Sequence, residues 1–402
     1  MEALMGASEA AEYLCVQVGT LYAYVSRGLL DSLPGTGDGR RRRYRKSDLD
    51  RLKRRSDAHA GHAPAAASAL DWGAPSLETE LTNITNTGPT YRGVSVQDLV
   101  RDAVRFESVA ELLWTGSLPA EEPDWFRAAH HAHVGTWPPA PVWPVDVLRV
   151  VVTHAGFEDG ERFSPSPDAE LRVARRLIVH ALRALAAQRG RSPGPEDAIA
   201  GVIAHALGLT ASDAALRAID AALVIVADHE MNASAFTARV AASAGADMYA
   251  CVSAALATFS GPKHGGACDR CAALLSEVAR STTPRSVLAA RMQRGESLPG
   301  FGHPLYPDGD PRFHLLTLVA EGLGAERVPA WLDELKRAAA EMGLGSPNCD
   351  MGLALLCHAL RAPSDSAVTL FAIGRMAGWL AHVREQRAQG FLLRPRGRYV
   401  GR

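Results

Sequence analysis

Segment after segment of this chain carries apolar residues three and four positions apart and then stops at a proline or a glycine. The pattern runs through residues 108–114, 167–189, 195–207, 211–226, 234–258, 267–280 and 367–387. That spacing gathers apolar side chains on one face of a helix, whereas a half-buried strand alternates every second residue. Alanine is abundant and β-branched runs are few, which favours helix further. No strand–helix–strand alternation, glycine-rich dinucleotide fingerprint or Walker loop breaks the pattern. The expected fold class is all-α, with Leu112, Leu113 and Trp114 in the core.

A chain of 402 residues has room for two or more domains and a large core. Net charge is −1, so the protein as a whole is not built to bind a polyanion. Glu2, Glu9 and Glu12 stand where a secretory leader needs an apolar stretch, and no apolar run approaches a membrane span. A soluble, cytoplasmic protein is expected, with no membrane partner. The six cysteines are too scattered for a disulfide framework. Cys268 and Cys271 form a lone CxxC with no second pair, so no metal site is expected. They read as two small helix residues kept reduced.

Residues 1–55 form a unit of their own. A short helix at 8–14 and a second at 18–25 are followed by a Gly/Pro turn at 34–39 and a basic block, Arg40, Arg41, Arg42 and Arg43. A third helix at 47–55 starts at Ser47 with Asp48 and Asp50 in its first turn. Ser8-Glu9-Ala10-Ala11, Val18-Gly19-Thr20-Leu21-Tyr22, Ser26-Arg27-Gly28-Leu29-Leu30 and Arg43-Tyr44 resemble the winged helix-turn-helix of MerR-type regulators and excisionases. The resemblance implies a second helix in a major groove, with Gln17, Tyr22 and Tyr24 as polar readers and Arg40 to Arg43 on phosphates. The alternative is a solvated basic turn on a module that packs or oligomerises. Residues 56–69 are a linker by composition, and a larger domain begins near residue 70.

Three segments of that domain set ionisable groups beside turn formers: Gly261-Pro262-Lys263-His264-Gly265-Gly266, Gly300-Phe301-Gly302-His303-Pro304 and Pro347-Asn348-Cys349-Asp350. Two imidazoles and a carboxylate are suited to removing a proton next to a carbonyl. Taken singly, each has a plainer reading. A histidine in a glycine turn is commonly a structural cap, Asp350 could cap a helix at 351–360, Arg375 could lie on a helix surface, and Arg394 could belong to a basic tail.

In their order along the chain, the three segments resemble citrate synthases. So do Tyr91-Arg92-Gly93, residues 112–119, Asp228-His229-Glu230-Met231-Asn232-Ala233-Ser234, Asp310-Pro311-Arg312, residues 374–382 and Arg394-Pro395-Arg396. The resemblance covers residue 70 to the C-terminus. It implies an almost wholly helical homodimer or higher oligomer, with a large domain (70–265 and 362–402) and a small lid domain (266–361) that closes over the substrates. It implies condensation of acetyl-CoA with oxaloacetate and water to citrate and CoA through an enolate, with acetyl-CoA as substrate and no cofactor. Asp350 matches the family's base, His264 its enolate donor and His303 the residue that polarises the ketone. His229, Arg312, Arg375 and Arg394 match its oxaloacetate contacts, Arg394 reaching into the partner subunit's site.

The match departs after His303. Pro304 and Pro307 stand where the family usually has basic residues, and Gly343-Leu344-Gly345-Ser346 lacks a lysine common there. Lys263, Arg291, Arg294 and Arg384 are candidate replacements on the CoA phosphates. Met351-Gly352 replaces a common aromatic residue, which could reshape the acyl pocket. The alternatives are 2-methylcitrate synthesis, citryl-CoA cleavage, condensation of another acyl-CoA with a 2-oxo acid, or a DNA-binding regulator whose synthase-like domain senses a metabolite.

Overall fold

The computed structural model describes residues 4–14, 16–34, 42–50, 52, 77–128, 142–191, 198–281, 283–395, 397, 399 and 401. Two compact units separate: Met1–Glu78 with Glu341–Leu344, and Thr79–Ala340 with Gly345–Arg402.

The N-terminal unit runs β1 (Leu4–Gly6), α1 (Ala7–Tyr13), α2 (Val18–Ser26), β2 (Leu33–Pro34) and β3 (Arg42–Arg45), followed by helical residues 46–50. The strands form one antiparallel sheet in the order β1-β3-β2, with Leu33 opposite Arg43. This β2–β3 pair is the expected wing. Tyr44 is buried with Ala10, Leu21 and Leu49, while Arg42 and Arg43 are exposed. Arg40 and Arg41 lie outside the described residues.

The second unit opens with a three-stranded meander the helical periodicity did not signal: β4 (Thr82–Thr85), β5 (Gly88–Tyr91) and β6 (Val94–Ser95). Helices follow: α3 (Val96–Arg101), α4 (Phe106–Thr115), α5 (Trp125–Ala128), α6 (Pro144–Glu158), α7 (Pro167–Gln188), α8 (Ile199–Leu207), α9 (Asp213–Val226) and α10 (Ala233–Ser243). After them come α11 (Met248–Phe259), α12 (Gly266–Arg280), α13 (Pro284–Gln293), α14 (Pro311–Glu321), α15 (Leu332–Glu341), α16 (Cys349–Leu360) and α17 (Ser366–Gln389). The single helix expected over 234–258 is two. Gly245 at φ 82 takes the left-handed conformation that ends α10, and the Asp247 side chain caps α11 by accepting from Ala250 N–H.

A large core cluster runs through α4, α6–α11 and α16–α17. Leu112, Leu113 and Trp114 are buried in it as expected. Its axis is α17, buried along most of its length. Such a helix can lie close to its neighbours only where a side chain is missing. A Cβ on Gly378 would come within 2.5 Å of Ala227 O, and the Gly378 N–H instead donates to that carbonyl at 3.0 Å. This contact sets the C-terminal end of α9 against the residues of α17 that matter below. No helix among the described residues is long and apolar enough to cross a membrane.

Candidate active site

The loop 300–303 and the start of α16 are zipped together by backbone. Gly302 N–H donates to Ser346 O at 2.8 Å, Asn348 N–H to Gly300 O at 2.9 Å, and the Asn348 side chain to Gly302 O at 3.1 Å. This joins the segment bearing His303 to the one bearing Asp350. Gly300 is required here. Its φ is 88, and a Cβ would come within 2.8 Å of Cys271 Sγ and 2.7 Å of Met351 Cε.

Asp350 is not the helix cap. Asn348 is, accepting from Asp350 N–H at 3.1 Å and Met351 N–H at 3.4 Å. The Asp350 carboxylate is thereby released from capping, and Cys268 donates to its Oδ1 at 3.2 Å. Burial raises its pKa, against the lowering effects of Cys268, Arg312 and Arg375. A raised carboxyl is a stronger base than a solvated one.

His264 stands in the turn before α12. Its ring packs edge-on against Phe259 and Phe371, and burial followed by the Arg375 charge holds its pKa down to about 3. It is a neutral imidazole. Its Nε2 lies 2.8 Å from Ser234 Oγ. That hydroxyl donates to the Asn232 side-chain oxygen at 2.7 Å and accepts from Trp379 Nε1–H at 2.9 Å. Trp379 comes from α17, three helical residues past the Gly374–Arg375–Met376 turn, so the packing of α17 also fixes His264.

His229 and His303 meet edge-on at 5.3 Å between ring centres, with Tyr306 against both. His229 Nε2 lies 3.1 Å from Tyr306 Oη. His303 Nδ1 accepts from Leu305 N–H at 3.2 Å, which leaves the proton of the neutral ring on Nε2. Burial and then Arg312 hold His303 to about 4, and burial, Arg312 and Arg375 hold His229 well below its ordinary value. Glu230, next to His229, sits at φ 52, a left-handed conformation that costs a non-glycine residue on the order of 1 kcal/mol or more.

Two arginines face these rings. Arg312 makes a two-pronged pair with Asp310, Nε at 2.9 Å and Nη2 at 2.7 Å, and Asp310 also accepts from Cys349 N–H at 3.0 Å. The pair takes no part of Nη1. Arg375 is 1 % exposed and so is not a helix-surface residue. Its Nε donates to Val226 O at 2.8 Å, and its Nη2 is buried with no hydrogen-bond partner. An unpaired buried guanidinium edge costs several kcal/mol, and a planar carboxylate satisfies it. Behind it Asp228 is fully buried. Burial pushes its pKa up, and His382, Arg375 and the Thr82 hydroxyl outweigh that and hold it low, so it supplies a negative charge near Arg375.

Six of the seven residues singled out in the larger domain thus share one electrostatic neighbourhood. Arg394 does not join them within the chain. It is exposed in the segment after α17. Of the four candidates for the CoA phosphates, Arg291 pairs with Glu277, Arg294 with Glu296 and Arg384 with Glu170, while Lys263 is exposed beside His264. Sequence reasoning missed Ser234, Tyr306, Asp310 and Trp379 as partners, although all four lie inside or beside the quoted motifs. Among the described residues no group of three or more His, Cys, Asp or Glu could hold a metal ion.

Comparison with known proteins gives this constellation a family. The model of the citrate synthase C-terminal domain matches residues 69–396, and a helix-turn-helix domain model matches residues 4–57. Citrate synthase 2 of Bacillus subtilis is 31% identical over 353 residues, covering 82% of this chain and 94% of its own. The 2-methylcitrate synthase of Shewanella oneidensis is 31% identical over 352 residues, covering 81% and 92%. Among solved structures, Thermoplasma acidophilum citrate synthase in ternary complex with carboxymethyl coenzyme A and oxaloacetate superposes with a TM-score of 0.69 at 26% identity, covering 84% of this chain and 96% of that one. The chain therefore belongs to the citrate synthase family of acyltransferases, with a helix-turn-helix domain at its N-terminus.

Proposed function

We propose that this protein condenses acetyl-CoA with oxaloacetate and water to give citrate and CoA. The observation that carries the reading is the convergence on Arg375. One buried guanidinium with an unpartnered edge acts electrostatically on His264, His229 and Asp350 together. A dicarboxylate bound there would sit among the base and both imidazoles.

Asp350 takes a proton from the acetyl methyl group, and the electron pair of that C–H bond moves into an enolate. His264 donates to the enolate oxygen. Its role needs the proton on Nδ1, which requires the Ser234 hydroxyl proton to turn from the Asn232 oxygen to Nε2. The enolate carbon then attacks the ketone of oxaloacetate. His303 donates from Nε2 to the ketone oxygen as it becomes an alkoxide, and water hydrolyses the resulting thioester. Arg312 Nη1, the Arg375 edge and His229 hold the dianion. CoA is a substrate and no resident cofactor is required. Exposed Lys263, one residue before His264, is the basic side chain we assign to the CoA phosphates. The residues 266–361 form the lid in this reading, with His264 and the Arg361 turn at its two hinges. The active species is a cytoplasmic homodimer in which Arg394 of each chain completes the other's site.

Steady-state release of free CoA tests this with acetyl-CoA and propionyl-CoA side by side. Acetyl-CoA is expected to give the higher kcat/KM. A preference for propionyl-CoA would replace the product by 2-methylcitrate, and no turnover with either would sink the reading.

A second activity rests on the N-terminal unit. We infer that its module binds DNA, with Arg40 to Arg43 on phosphates; the exposure of Arg42 and Arg43 on β3 supports this. A gel shift on genomic fragments should weaken steeply with salt and shrink when Arg40 to Arg43 are changed to Gln. An unchanged shift in that variant would exclude the phosphate contacts.

A further inference from the structure

Asp350 has an unusual hydrogen-bond donor. Its Oδ1 accepts from the thiol of Cys268 at 3.2 Å, and Cys271 and Cys349 are buried close by. Burial and the neighbouring carboxylate push the Cys268 pKa well above that of a free thiol, so the group stays S–H and can only donate to the carboxylate. Its place in the chain is equally specific. Cys268 lies in the first turn of α12, and Ala267 and Cys268 N–H groups donate to His264 O and Gly265 O at 2.8 and 3.1 Å. One short, hydrogen-bonded stretch therefore carries His264 and, four residues on, the thiol that touches Asp350. The cysteine that read from sequence as an inert helix residue spans the gap between the enolate donor and the base.

We propose that Cys268 is a positioning residue for Asp350, fixing one carboxylate oxygen relative to His264 and leaving Oδ2 to take the carbon-bound proton. It rests on the reading of Asp350 as the base. The thiol proton does not move in the reaction. The substrate proton goes to Oδ2, its electron pair to the enolate, and the proton leaves to solvent after condensation. A thiol suits this task because it is a weak donor. It orients the carboxylate while stabilising the anion little, so burial can keep the base strong. A hydroxyl would hold the anion more firmly and weaken it. With no donor the carboxylate would be more basic but free to rotate.

The test is the titration of the Asp350 carboxyl in the full chain, read by infrared difference against D350N, together with the acid limb of kcat. C268A should move the titration and the limb up by roughly half to one pH unit, and C268S should move both down, with oxaloacetate affinity unchanged in each. C268S should also recover most of the kcat lost in C268A. A merely structural cysteine would lower kcat without moving either titration. Unmoved titrations in C268S overturn the proposal even if C268A fails to fold. A wild type that titrates as described but never turns over would sink the condensing reading and leave the thiol–carboxylate contact standing.

Discussion

Asp350→Asn is expected to abolish condensation, by roughly 10³- to 10⁴-fold in kcat, while oxaloacetate still binds as tightly as before. The substitution keeps the shape of the side chain and an oxygen to accept from Cys268. It removes only the group that can take a proton. The fold should survive because Asn348, not Asp350, caps α16. The loop bearing His303 should stay in place as well, since Gly300, Gly302, Ser346 and Asn348 hold it by backbone and amide contacts. In the proposed reading Arg312, Arg375 and His229 bind the dicarboxylate, and none of them has a hydrogen bond to Asp350. Calorimetric titration of oxaloacetate beside CoA release separates the two quantities. Loss of oxaloacetate binding in the variant would make Asp350 a structural residue.

Arg394→Ala is the second large effect, about 2 to 5 kcal/mol, or roughly 30- to 5,000-fold in kcat/KM. In the proposed reading an exposed tail residue matters because it brings a third guanidinium to a dianion. Arg312 gives two of its nitrogens to Asp310, and Arg375 gives Nε to Val226 O. That leaves three N–H groups on Arg312 and four on Arg375, one terminal fork each for a planar carboxylate. Oxaloacetate has two. Arg394, exposed after α17, is a fork available to a second chain. Mixing decides it. If base and clamp come from different chains, reassorting inactive R394A with inactive D350N dimers yields hybrids with one intact site. About a quarter of the wild-type rate should return, because half the dimers are hybrids and each has one working site of two. No recovery on mixing, or full activity of R394A alone, would contradict this.

The parts of the site that were legible in the sequence are those whose chemistry is local. His264 and His303 stand in glycine turns because the backbone must fold tightly there, and the motif shows both the turn and the imidazole. Asp350 was visible, but its freedom was not. Two Asx side chains two residues apart can each cap a helix, and only the observed register, with Asn348 accepting from Asp350 and Met351, assigns the task. Arg312 was read as a free clamp although Asp310, two residues before it, already binds it. That pairing is local and the motif contained it. The Trp379–Ser234–His264 chain could not have been read, because it depends on α17 lying against the end of α9, a contact set by Gly378 and Ala227 some 150 positions apart. The same packing buries Arg375, which a helix wheel alone leaves free to be exposed. Helical periodicity located most of the helices but joined α10 to α11, because a single glycine is a weak break between two alanine-rich stretches. It also passed over the meander of β4 to β6, whose short strands carry too few residues for a period to emerge.

The most direct test is the release of CoA from acetyl-CoA by the full-length protein, with and without oxaloacetate, with citrate measured in the same samples. CoA and citrate should appear in equal amounts with oxaloacetate present, neither should appear without it, and both should vanish in D350N. Release of CoA that does not depend on oxaloacetate, or equal rates in wild type and D350N, would contradict the assignment of this site to a carbon–carbon condensation.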